Sequence, residues 1–223
     1  PGKYQDIMDD TENLFKFVGE KLNKQTVKYN NKEINISGKW DRLSMKEVWQ
    51  KFINVNLDDY LDFENLKKLA EGKGYKVDHS DKYEDVFFKI FLNEIEPHLG
   101  NETPVFVYDF PAQMTSLSRL CEQDNRYAER FELYVGGLEL ANAFGELTDA
   151  KEQKDRLEKD KNLRSELGKT TWPVDPDFIQ ALQSGIAPAG GIALGVDRMV
   201  LLFTGAKDLN EVIFGSISDQ LSN

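Results

Sequence analysis

Two carboxylates and an amide sit in a run that otherwise reads as a buried strand. The stretch GGLELANAFGELTDA, residues 136–150, sets Glu139, Asn142 and Glu146 among small and apolar side chains. Ionised groups are seldom buried unless something pairs with them. Two acids sharing one cavity can hold a hard cation such as magnesium. A second stretch, GGIALGVDRM at 190–199, brings Arg198 to the start of a helix behind a glycine-rich strand. A guanidinium fork suits phosphate oxygens, and its plane stacks on a purine. Glycines let a backbone approach a ligand closely. The run matches neither a P-loop nor a dinucleotide fingerprint. Tight helix–strand packing, with Arg198 paired to Asp197 or another nearby acid, is the alternative.

Strand parity sharpens the question. Side chains alternate, so Leu138 and Leu140 should share one face, and Glu139, Ala141 and Ala143 the other. Asn142, Phe144 and Glu146 then fall with Leu138. A regular strand therefore separates Glu139 from Glu146, and both serve one site only if the strand bulges or turns. Otherwise Glu139 is a solvent-exposed residue of an edge strand. If both acids face one cavity, their repulsion at ~5 Å and an effective dielectric near 20 is about 3 kcal/mol, and at least one pKa is raised.

Composition narrows the chemistry. The 223 residues suffice for a sizeable core, and the net charge of −11 argues against a broad nucleic-acid footprint. A cationic substrate or basic partner remains open. One cysteine, Cys121, excludes an internal disulfide, and His79 and His98 lie far apart, so a Cys/His zinc site is not expected. No run is long enough to span a membrane, and PGKYQDIMDD has no apolar signal segment. A cytoplasmic protein is expected. The chain lacks an initiator Met, which suggests a fragment.

These residues must be positioned by surrounding elements. Tyr4, Ile7, Thr11, Leu14, Val18 and Leu22 recur at helical spacing over 4–23. TVKYNNKEINI predicts a hairpin about Asn30-Asn31. Ser44 and Glu47 form a capping box ahead of a helix. Residues 58–99 read as mainly helical and peripheral. TPVFVYDFP is a short buried strand ended by Pro111, and Gly136-Gly137 joins two strands in a tight hairpin. AKEQKDRLEKDKNLRSELG is a charged helix. AGGIALGVDRMVLLFTG is a strand feeding a helix with Val196, Met199, Val200 and Phe203 as its buried stripe and Gly205 at its end. The sum is an α+β domain, an antiparallel sheet with helices.

The order RFELYVGGLELANAFGELTDA, then GGIALGVDRMVLLFTG, resembles the catalytic domain of class II lysyl-tRNA synthetases. GIALGVDRM is similar to that family's third signature motif. ELANAFGELTDAKEQ, with PVFVYDFPAQMTSLSRL, looks closer still to the paralogue that modifies elongation factor P and lacks an anticodon-binding domain. The resemblance covers nearly the whole chain, dense from about residue 84 onward and thin between 55 and 83. Ala143 stands where both families often carry glycine.

The resemblance implies a class II synthetase-like core, with residues 1–223 as one partial catalytic domain carrying an insertion at about 58–99. Motifs one and two are expected upstream, so the chain alone should not catalyse adenylation, and the full-length protein should be a homodimer. The implied cofactors are ATP and Mg2+. Glu139 and Glu146 would bind metal, and Glu146 would otherwise contact the substrate amine. Leu140, Gly195 and Arg198 would join Glu139 against ATP, with Glu139 and Arg198 as catalytic residues. Asn142 and Phe144 would shape the amino-acid pocket. The implied reaction joins the carboxylate of lysine or β-lysine to the α-phosphorus of ATP and passes the aminoacyl group to a lysine of elongation factor P. The alternatives are a tRNA acceptor, as in an ordinary lysyl-tRNA synthetase, or a non-catalytic binding domain.

Overall fold

The computed structural model describes residues 2–215. The chain opens with helix α1 (Tyr4–Lys21) and a hairpin of β1 (Thr26–Tyr29) and β2 (Lys32–Asn35). Asn30 and Asn31 turn that hairpin with φ of 46° and 61°, the pair of left-handed residues a two-residue turn requires. Strand β3 (Asp41–Ser44) runs directly into α2 (Met45–Ile53), where Ser44 and Glu47 form the expected capping box. Helices α3 (Phe63–Gly72) and α4 (Tyr83–Ile90) follow, and helical turns continue to His98. Strands β4 (Val105–Pro111), β5 (Tyr127–Val135) and β6 (Leu138–Gly145) lead to α5 (Ala150–Glu166) and α6 (Pro176–Gln183). β7 (Gly190–Leu194) and α7 (Val196–Thr204) complete the set, and Gly205 ends α7 at φ 75°.

The main sheet has the order β3-β4-β5-β6-β7. Its pairs are antiparallel except β3-β4, which is parallel. The sheet is thus mixed, because β3 reaches β4 through a long helical crossover instead of a hairpin. Gly136 and Gly137, with φ of 67° and 81°, make the tight turn between β5 and β6.

Two cores flank the sheet. One is built by α2, α3, α4 and the turns after α4, which bury Trp49, Leu66, Phe87, Phe91 and Ile95 against Val105, Val107, Phe110 and Tyr134. The other packs α1, the first hairpin and α7 against Phe106, Phe131, Leu133, Ala141 and Ala143.

Two expected stripes are displaced. Helix α1 buries Tyr4, Met8, Thr11, Phe15 and Gly19, while Leu14 is 43% exposed and Leu22 50%. The ring of Phe15, set between Trp40 and Phe203, fixes that rotation. Helix α7 buries Leu201, Leu202 and Phe203, leaving Val196 60% exposed and Val200 39%. Met199 and Phe203 lie in the core as read; Val196 and Val200 do not, because the C-terminal turn of the helix packs against α1 and the first hairpin.

Candidate active site

The strand carrying the two acids is not regular. Tyr134 pairs with Glu139, but the next residue of β5, Leu133, pairs with Ala141. Leu140 is the extra residue of a β-bulge, and its side chain is buried in the α1/α7 core. A bulge resets side-chain parity. Beyond it Asn142 lies opposite Glu132 and Phe144 opposite Arg130. Glu139, Asn142 and Phe144 therefore share one face of the sheet with Tyr134, Glu132 and Arg130. Glu146 continues the same alternation, although it lies just past the strand, bridged to Ser118.

The parity expected of a regular strand is corrected by this one residue. Ala141 and Ala143 face the core with Leu138, not outward with Glu139. The methyl of Ala143, where glycine is common in the resembling families, thus points away from the acids.

Each acid has its own surroundings. Burial raises the Glu139 carboxyl above its usual range; the Glu132 charge adds to this, while Arg198 and Arg130 oppose it. Burial alone raises Glu146. Both acids are thus raised, but the like charge acting on Glu139 is Glu132, and no Glu139–Glu146 repulsion contributes. Glu96, at the end of the helical segment, is also raised, first by burial and then by Glu132 and Glu139. Among the described residues the Glu146 carboxylate has no hydrogen-bond or ion-pair partner. It lies over the bare Cα of Gly191 on β7, where a Cβ would stand 1.9 Å from its Oε1.

Arg198 reaches across from α7. Its Nη1 donates to the Glu139 carbonyl at 2.6 Å and lies 3.9 Å from the Glu139 carboxylate. The pairing with a nearby acid is therefore present but loose, and the side chain is 43% exposed. Gly195 precedes it. A Cβ there would come within 3.3 Å of the Arg198 Cδ, and the Gly195 N–H donates to the Leu140 carbonyl at 2.8 Å. The glycine lets the arginine stem fold back over the bulge. Leu140, with its side chain buried, can meet a nucleotide only through its main chain.

Two residues of this face escaped the reading of the sequence. Arg130 and Glu132 form an ion pair at 2.7 Å, with side chains 11% and 5% exposed. Their signal was present as charges alternating with apolar residues in RFELYV, a pattern that also describes an ordinary half-exposed strand.

Among the described residues no three His, Cys, Asp or Glu side chains converge to ligate a metal. The donors present are carboxylate oxygens. Magnesium bound by one or two carboxylates, with phosphates and water completing its coordination, suits that supply. Among the same residues no helix is long and apolar enough to cross a membrane.

Residues 2–216 match the family described as tRNA synthetases class II (D, K and N). The chain is 47% identical over 175 residues to an elongation factor P–(R)-beta-lysine ligase of Enterobacter sp. (strain 638), covering 78% of this chain and 54% of that protein. It is 34% identical over 215 residues to a lysine–tRNA ligase of Prochlorococcus marinus (strain MIT 9312), covering 94% of this chain and 41% of that protein. A lysine–tRNA ligase of Campylobacter jejuni is 35% identical over 211 residues, again across 94% of this chain and 42% of the relative. The chain spans about half or less of the length of these relatives. With a bulged strand that gathers its acids on one face and an arginine-bearing helix beside it, the chain belongs to the class II tRNA synthetases of the D, K and N group.

Proposed function

We propose that this chain is part of the catalytic core of a ligase that activates lysine or β-lysine with ATP and magnesium, and passes the aminoacyl group to a lysine of elongation factor P. The observation that carries the reading is the bulge at Leu140, which gathers Glu139, Asn142, Phe144 and Glu146 on one face with Arg198 alongside. The substrate carboxylate is already ionised at neutral pH, so the step needs no general base. The obstacle is the approach of an anion to a polyanion, and positive charge fixed at the developing oxygens removes it.

Arg198 is half-exposed and loosely paired, so its fork is available to phosphate oxygens. Glu139 would hold magnesium, which when bound neutralises phosphate charge, with Glu132 in place of the Glu146 expected from the sequence, because Glu132 is the acid whose charge acts on Glu139. Glu146, raised by burial and without a partner among the described residues, suits a cationic amine: an ammonium would stabilise its charged form. Phe144 would line the apolar stem of the amino acid.

The acceptor separates two readings. Greater identity favours elongation factor P, at 47% against 34–35% for the lysine–tRNA ligases; the tRNA reading is supported by a match over more of the chain, 94% against 78%. The test is lysine- or β-lysine-dependent ATP–pyrophosphate exchange by the full-length protein, followed by transfer to elongation factor P or to tRNA as competing acceptors. Exchange with transfer to the protein acceptor alone supports the proposal. Transfer to tRNA replaces it with the second reading, and absence of exchange leaves a non-catalytic binding domain.

A further inference from the structure

Each nitrogen of the Arg130 guanidinium donates a hydrogen bond on the site face. Its Nε donates to Asn142 Oδ1 at 3.2 Å, its Nη2 to Glu132 Oε1 at 2.7 Å, and its Nη1 to the Met114 carbonyl at 3.1 Å. The flat face of the group covers the Phe110 ring at 4.4 Å and lies 5.8 Å from the Phe144 ring. The far oxygen of Glu132 accepts from the Tyr134 hydroxyl. One side chain, mostly covered, thus touches the residue expected at the amino-acid pocket, the acid beside Glu139, and the ring of Phe110.

An arginine only donates, so the Asn142 atom facing it must be the oxygen. The Nδ2 of Asn142 is then directed away from Arg130, and it has no partner among the described residues. An amide presenting its NH2 recognises an acceptor, not an ammonium group. We propose that Arg130 is a positioning residue of the site: it locks Asn142 with its NH2 toward the carboxylate of the bound amino acid, and it holds Glu132 in place beside Glu139. This rests on the lysine-activating function proposed above. A lysine at position 130 supplies charge but no planar fork, so it cannot serve three acceptors at fixed angles.

The test is calorimetric titration of lysine and β-lysine, without ATP, into the full-length protein and its Arg130→Lys and Asn142→Asp variants. Magnesium dependence and steady-state parameters are measured in parallel. Asn142→Asp keeps an oxygen for Arg130 and turns that bond into an ion pair, while its charge stands opposite Glu132, so the melting temperature should stay close to the parent's. The NH2 donor is replaced by a like charge facing the substrate carboxylate, and amino-acid affinity should fall by about tenfold or more. Arg130→Lys should weaken amino-acid binding and raise the magnesium needed for half-maximal rate, with a much smaller change in the KM for ATP. If Arg130→Lys lowers stability while the folded protein keeps its affinity and magnesium dependence, Arg130 is structural only. If Arg130→Lys does not fold, Asn142→Asp still decides: parental affinity in that variant overturns the proposal. A parent that binds neither amino acid overturns the functional reading and this inference with it. A parent that binds, with variants equal to it, overturns this inference alone.

Discussion

Glu146 and Glu139 show how one residue type meets different surroundings on one face. Glu146 is raised by burial and has no partner among the described residues, so neutralising it removes a cost. Glu146→Gln is expected to leave the ligand-free fold within ~0.5 kcal/mol of the parent or slightly more stable, and to abolish amino-acid-dependent pyrophosphate exchange. A melting temperature many degrees lower without ligand would make Glu146 a structural acid. At Arg198 the bond to the Glu139 carbonyl requires one donor, which a lysine can supply. The remaining donors are what Arg198→Lys loses. The KM for ATP should rise on the order of tenfold while that for lysine changes little. Unchanged ATP dependence in a folded variant would reduce Arg198 to a packing residue.

At the scale of elements, the geometry is carried by one bulge and one bare strand. The β6 bulge buries Leu140 and brings Glu139 onto the face of Asn142, and the Gly195 N–H ties β7 back to that point. Strand β7 matters for what it lacks. At Gly191 the three heavy atoms nearest an added Cβ all belong to Glu146, so Gly191→Ala should displace chiefly that side chain. The expected result is weakened amino-acid use with a nearly intact fold, measured as a change in the KM for lysine beside an unchanged thermal melt. A variant that keeps the parental KM would show that Glu146 has room to move without leaving its function.

At the scale of the molecule, the net charge of −11 and the buried acids set the pH response. Glu84, Glu96, Glu139, Glu146 and Asp109 are all raised above their ordinary values, 4.5 for Glu and 3.8 for Asp, with burial as the first cause. A raised carboxyl binds its proton more tightly folded than unfolded, so its charged form weakens the fold above the raised pKa, and acidification recovers the loss. Asp62, Asp81 and Asp124 are lowered, by the Asn65 N–H, Lys89 and Arg126 respectively. Their contribution is present above the ordinary Asp value and is lost as pH falls through the lowered one. Thermal melts without magnesium or ATP should therefore hold or rise from pH 7 toward pH 5 and fall below pH 4. Stability that declines steadily from pH 7 downward would contradict this balance. Magnesium with ATP should flatten the upper limb, because cations supplied to Glu139 offset the same repulsion.

Local chemistry was legible in the chain because its causes are local. The paired left-handed residues at Asn30-Asn31 and Gly136-Gly137, the Ser44–Glu47 box and the glycine ending α7 depend on neighbours a few residues away, and each appears where the sequence placed it. The family was legible because motif wording in 136–150 and 190–199 is short-range too. Three things were decided only by tertiary structure. The rotation of α1 is set by Phe15 wedged between Trp40 and Phe203, far apart in the chain. The face of Glu139 is set by a bulge, which exists only as a mismatch between two paired strands. The contact of Arg130 with Asn142 comes from the strand opposite it. Alternation predicts the faces of a strand only while its ladder is regular, and here the one extra residue falls between the two acids whose partnership the sequence had left open.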